Sequence, residues 1–174
     1  MDSFFAYAQR LELMAFFSGY PLVYTVALFI TGGQPLKNNF KSRIPSLLPF
    51  AYALVGSLYL SLQIRNLYPD YSIQNINRAI QQPYLVTWAL LSILFWVPAI
   101  GKKRVLSLLH SLVFFFLLVK DLCAQLSAHD RNIVRNDMTI YTTSLIVNFA
   151  SLAFLLLVSF LYTHFHKQRP PENT

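Results

Sequence analysis

His110 is the side chain whose position packing alone explains least. It sits near the middle of an apolar run, Val105 to Val119, with Ser107 and Ser111 on the same helical face. An ionisable group inside a membrane span is costly, so it is a candidate for proton relay, haem ligation or anchoring a ligand. The plainer reading is a neutral imidazole hydrogen-bonded to a neighbouring helix, with Ser92 or Asn148 as the expected partner. A haem pair needs a second histidine at similar depth, and no other run supplies one. His164 and His166 stand at the edge of the last run.

Asn148 is the second candidate. Ser144, Asn148 and Ser151 recur at four- and three-residue spacing, which puts them in one stripe on a helix. Such a stripe either holds helices together or wets a passage, and holding helices together is the expectation. Asp121, His129, Asp130 and Asp137 carry ligand types that suit several divalent ions. Arginines are interleaved and the spacing fits no metal motif, so local ion pairs are expected and no metal. Cys123 is the only cysteine and has no partner for an internal disulfide. There is no glycine-rich phosphate loop, no His-Glu-x-x-His and no nucleophile with an evident base. The sequence therefore predicts no catalytic centre and no cofactor, and leans away from an enzyme.

The elements that hold these residues are apolar. Of the 174 residues, 55% are hydrophobic and 12% charged, against about 25% charged in an ordinary soluble domain. The deficit is concentrated in five runs, at about 13–30, 45–64, 84–100, 105–121 and 139–162. The predicted fold is an all-α polytopic membrane bundle with five transmembrane helices, or four if the stretch from Tyr84 to Val119 re-enters instead of crossing twice. The fourth run has fifteen residues between Arg104 and Lys120, fewer than the roughly 20 that a span wants. Snorkelling of the flanking cations and continuation of the helix through Leu122-Cys123-Ala124 make up the length. Gly19-Tyr20-Pro21 predicts a kink in the first run, and Pro45 and Pro49 fall near the start of the second, where proline is tolerated. Residues 71–80 place Ile73, Ile76, Ala79 and Ile80 at helical spacing, as in a helix lying on the membrane surface. Residues 1–166 form one domain on this reading, and 167–174 a disordered tail. Tyr20, Tyr24, Tyr84, Trp88, Tyr141 and Tyr162 fall near predicted span ends, the place of an aromatic belt.

Ala53, Ser57 and Ser61 recur every four residues in the second run, a stripe of small side chains that lets another helix approach closely. The expected neighbour is another helix of the same chain, with a second subunit as the alternative.

The net charge of +7 would suggest nucleic acid in a soluble protein. Here the cations sit in short loops between apolar runs, so a lipid bilayer is the expected partner and no nucleic acid is. Lys37, Lys41, Arg43, Lys102, Lys103 and Arg104, with Lys167 and Arg169, make eight cations on one face against six on the other. They would meet anionic lipid and set the topology, giving an outside N-terminus and a cytoplasmic C-terminus. The N-terminus has no basic leader, so the first run is read as a retained span.

Three functional readings follow. The first is a small non-catalytic membrane protein acting by assembly, as an oligomeric channel-like effector or an accessory subunit of a membrane or cytoplasmic partner. The second is a transporter, a lipid- or small-molecule-binding protein or a lipid-modifying enzyme, with a polar pocket near His110 and Asn148. A regulator recruited through the basic face is a third.

Overall fold

Apolar runs in a bilayer must close their own backbone hydrogen bonds, and the helix does so within one segment. The computed structural model describes residues 12–32, 40–69, 71–72, 74, 76, 83–127 and 131–167, with backbone alone at 40–42, 125, 131–137 and 166–167. Among them the regular elements are all helical: α1 Met14–Phe17, α2 Tyr20–Thr31, α3 Phe40–Asn66, α4 Pro83–Leu91, a 3-10 segment Ser92–Trp96, α5 Pro98–Gly101, α6 Arg104–Ser127 and α7 Arg131–Lys167. Four stretches are long and apolar enough to cross a membrane: Met14–Thr31, Arg43–Asn66, Arg104–Ala124 and Met138–Phe165.

The third run departs from the expected span over 84–100. Its α-helix tightens to a 3-10 segment at Ser92, and Val97 is extended at φ −71° and ψ 121°. Pro98 accounts for the break, because proline disfavours the helical conformation of the residue before it. With rises of 1.5 and 2.0 Å per residue, α4 and the 3-10 segment reach roughly 24 Å, short of a hydrocarbon core of about 30 Å. By contrast α6 runs 24 residues, past Lys120 to Ser127. Helix α3 starts at Phe40, earlier than expected, so Pro45 and Pro49 are interior to it.

Side-chain contacts give the helix directions. Tyr52 meets Tyr20, and Tyr59 meets Phe16, so α1–α2 and α3 run antiparallel. Further along α3 than the Tyr52–His110 contact, Tyr59 meets Phe17, and Phe17 stacks on Phe114 at 4.8 Å. Helices α3 and α6 therefore rise from the same face. Phe115 meets Tyr141, and Arg43 at the start of α3 donates to the Thr163 hydroxyl near the end of α7.

The core is aromatic: Phe17, Tyr20, Tyr52, Tyr59 and Phe114 are all buried. Tyr20 and Tyr24 belong to it and not to an interfacial belt, whereas Tyr84 and Tyr162 are exposed. Helix α7 is built the other way round from a soluble helix. Ser144, Asn148 and Ser151 are buried, while Ile146, Phe149, Phe154, Leu157 and Phe160 are exposed. That arrangement suits lipid as solvent. Lys37, most of 71–80, His129, Asp130 and 168–174 lie outside the described residues.

Candidate functional site

Pro21 has no N–H for the carbonyl one turn back, which favours a break in the first span. The break falls at Ser18–Gly19, between α1 and α2. Helix α7 supplies side chains to the break. Asn148 Nδ2 donates to the Phe16 carbonyl at 2.8 Å and to its own Ser144 carbonyl at 2.8 Å. The Gly19 N–H donates to Ser144 Oγ at 2.7 Å. Gly19 permits this, since a Cβ there would lie 2.8 Å from the Leu145 backbone nitrogen. Ser151 is buried in the same stripe. The polar stripe of α7 thus meets backbone groups at the kink of α1–α2.

His110 is held separately. Its Nδ1 shares a 2.7 Å hydrogen bond with the Tyr52 hydroxyl of α3, where Ser92 or Asn148 had been the expected partner. Trp88 of α4 lies flat on the imidazole, with centroids 4.6 Å apart and planes 4° from parallel. The Trp88 indole N–H donates to the His110 carbonyl at 3.2 Å, which locks the stack. Phe95 and Phe114 close on the ring from other sides. Ser107 Oγ is within 2.8 Å of the Tyr20 hydroxyl and donates to the Arg104 carbonyl; Ser111 donates to the Leu108 carbonyl. Sequence spacing pointed to the His110 face but not to its partner. A signal for Tyr52 was present: a phenol in the middle of an apolar span needs a hydrogen-bond partner.

Beside this cluster an open groove of about 410 Å³ runs between the third run and α6, with Leu91, Leu94, Leu106, Leu109 and Val113 exposed along it. Trp88, Leu91, Leu94, Phe95 and Ile100 form one wall, and Leu106, Leu109, His110 and Val113 the other. His110 is the one ionisable residue of that lining and is 9% exposed, and its Nε2 is buried with no hydrogen-bond partner. A second, smaller cavity of about 240 Å³ lies between α6 and α7 around Phe115, Leu122 and Tyr141. Asn148 lines neither of these two. Ser92 Oγ and Asn148 Oδ1 are also buried without a partner.

The small-residue stripe of α3 meets the third run of the same chain. Ala53 is buried, Ser57 Oγ accepts from the Trp96 indole at 3.0 Å, and Ser61 is exposed. Gly56, inside the stripe, faces Ser92 so closely that a Cβ would collide with its hydroxyl. Lys102, Lys103 and Arg104 are exposed on the turn that leads into α6, and Arg43 is exposed at the start of α3. The backbone of Lys41 lies in α3. Among the described residues no three His, Cys, Asp or Glu side chains cluster as a metal site would require.

Compared with family models, curated proteins and solved structures, the chain matches none. The fold and the lipid-suited surface define an α-helical membrane protein.

Proposed function

We propose that this protein holds the apolar part of a bilayer molecule in the open groove between the third run and α6, whose lining has His110 as its one ionisable residue. The observation that carries the reading is an apolar groove of about 410 Å³ lined by nine residues, of which His110 alone is ionisable. The volume falls in the ordinary range for ligand pockets, about 300–1,000 Å³. Of the three readings drawn from sequence, the groove favours the second. The α3 stripe, one support of the assembly reading, is largely occupied by the chain itself.

Five crossings accompany this reading. The parallel directions of α3 and α6 support a return crossing between them, and among the described residues the third run is the apolar segment that would make it. The positive face then lies in the cytoplasm, with the N-terminus outside and the C-terminus inside.

The chain has two tryptophans, so a Trp96→Phe protein keeps Trp88 as the sole reporter in the cavity wall. Titrated in detergent with brominated-chain phosphatidylcholine, its fluorescence should fall along a saturating curve. Unbrominated lipid should reverse the fall, and Val113→Phe, which fills the cavity, should weaken it. A fall that is linear in lipid and unaffected by Val113→Phe would show contact with bulk lipid only, and the reading would be abandoned.

A further inference from the structure

We infer that the groove takes a single acyl chain from the leaflet whose surface the Lys102–Arg104 turn marks, with the chain's polar end level with that turn and its methyl end at Trp88. The inference rests on the binding function just proposed and specifies which part of which lipid is held.

The two ends of the groove differ. At one, Ile100 and Leu106 border the turn, where Lys102, Lys103 and Arg104 are exposed. Three adjacent cations stay out of hydrocarbon, so this end opens at a membrane surface. At the other, Trp88 lies flat on His110 with ring centroids 4.6 Å apart, which leaves no gap between the rings for a chain. The Trp88 N–H on the His110 carbonyl holds that end closed. The two walls agree in length. From Leu106 to Val113 α6 rises roughly 11 Å. From Trp88 to Phe95 the third run rises roughly 12 Å, half of it in the 3-10 segment. Val113 stands nine residues beyond Arg104, roughly 14 Å along the helix. Half of a hydrocarbon core of about 30 Å is close to that depth. The groove therefore occupies one leaflet and stops near the middle of the bilayer.

The lining decides what enters. His110 is its one ionisable residue, and that side chain is buried. A polar group lowered into the groove would give up its water and gain no hydrogen bond, so the ligand's polar part stays at the open end. Leu94, Leu109 and Val113 are exposed along the opening. A chain can enter sideways from its own leaflet, and its headgroup never crosses hydrocarbon. The volume of about 410 Å³ is near the lower end for ligand pockets, which suits one chain and not two. Such a chain leaves lipid for protein without leaving hydrocarbon. Packing against the walls, and not the hydrophobic effect, supplies the preference.

The Trp96→Phe protein in liposomes tests this, with quenching that is lost on adding Val113→Phe counted as groove-bound. Leu109→Phe fills the same groove and replaces Val113→Phe if that variant does not fold by circular dichroism and elution volume. Phosphatidylcholines brominated near the headgroup or near the methyl end of a chain report depth, and cyclodextrin exchange confines them to one leaflet. Impermeant maleimide on Lys103→Cys, in a Cys123→Ser background, shows which side the turn faces. Groove-bound quenching should come from the leaflet on the turn's side and be stronger for bromine near the methyl end. Brominated lysophosphatidylcholine, which has one chain, should match the two-chain lipid. Groove-bound quenching that is equal from both leaflets, or stronger from the opposite one, would overturn the leaflet. Stronger quenching by bromine near the headgroup would overturn the chain's direction, and a lysolipid that does not quench would overturn the single chain. Each of these results leaves the binding function standing. Quenching that Val113→Phe and Leu109→Phe leave unchanged for every lipid would remove the binding function itself.

Discussion

Asn148 shows how much one polar side chain does when it is buried among apolar helices. Its amide reaches the Phe16 carbonyl, while Ser144 takes the Gly19 N–H, so two residues of α7 cap a break made by Pro21. Interhelical hydrogen bonds in membranes average only about 0.6 kcal/mol, but an orphaned buried backbone group costs more, about 1–3 kcal/mol. Asn148→Leu should therefore lower unfolding free energy in detergent by about 1–2 kcal/mol, read from a denaturant titration; an unchanged midpoint would mean the cap contributes nothing. The spacing of Ser144, Asn148 and Ser151 made the stripe legible in sequence. Its target was not, because Phe16 and Gly19 offer backbone atoms that every residue has. His110 repeats the pattern: its depth was readable, while the choice of Tyr52 over Ser92 depends on how α3 and α6 are rotated against each other.

The third run is the element on which most depends, since it walls the cavity and brings Trp88 onto His110. It is broken by Val97–Pro98 and packed on α3 at Gly56, which leaves room for the Ser92 side chain. Gly56→Leu should push this run outward. The expected result is faster proteolysis between α4 and α5 and loss of Trp88 quenching by brominated lipid, with the helicity of the long helices kept. Intact quenching and unchanged proteolysis would show that the close contact does not position the run. A proline at 98 is visible in sequence, so the end of α4 could be expected near it. The 3-10 tightening from Ser92 to Trp96 could not, because it follows from packing against α3.

At the scale of the whole molecule, the helix directions predict that the two termini lie on opposite sides of the membrane. Cysteines placed at residues 3 and 172, in a Cys123→Ser background, should label with an impermeant maleimide from opposite faces of sealed vesicles. Labelling from one face would establish four crossings and make the third run re-entrant. What the sequence determined alone is the solvent and the periodicity: 12% charge, with long uncharged runs, admits little besides helices in lipid, and cations in short turns mark the surfaces. Which polar groups satisfy one another, and that His110 keeps one nitrogen unsatisfied beside a cavity, were decided only by tertiary structure. Hydrophobicity acts on each segment by itself, whereas a hydrogen bond between helices and a gap between them exist only after rotation and depth have been set.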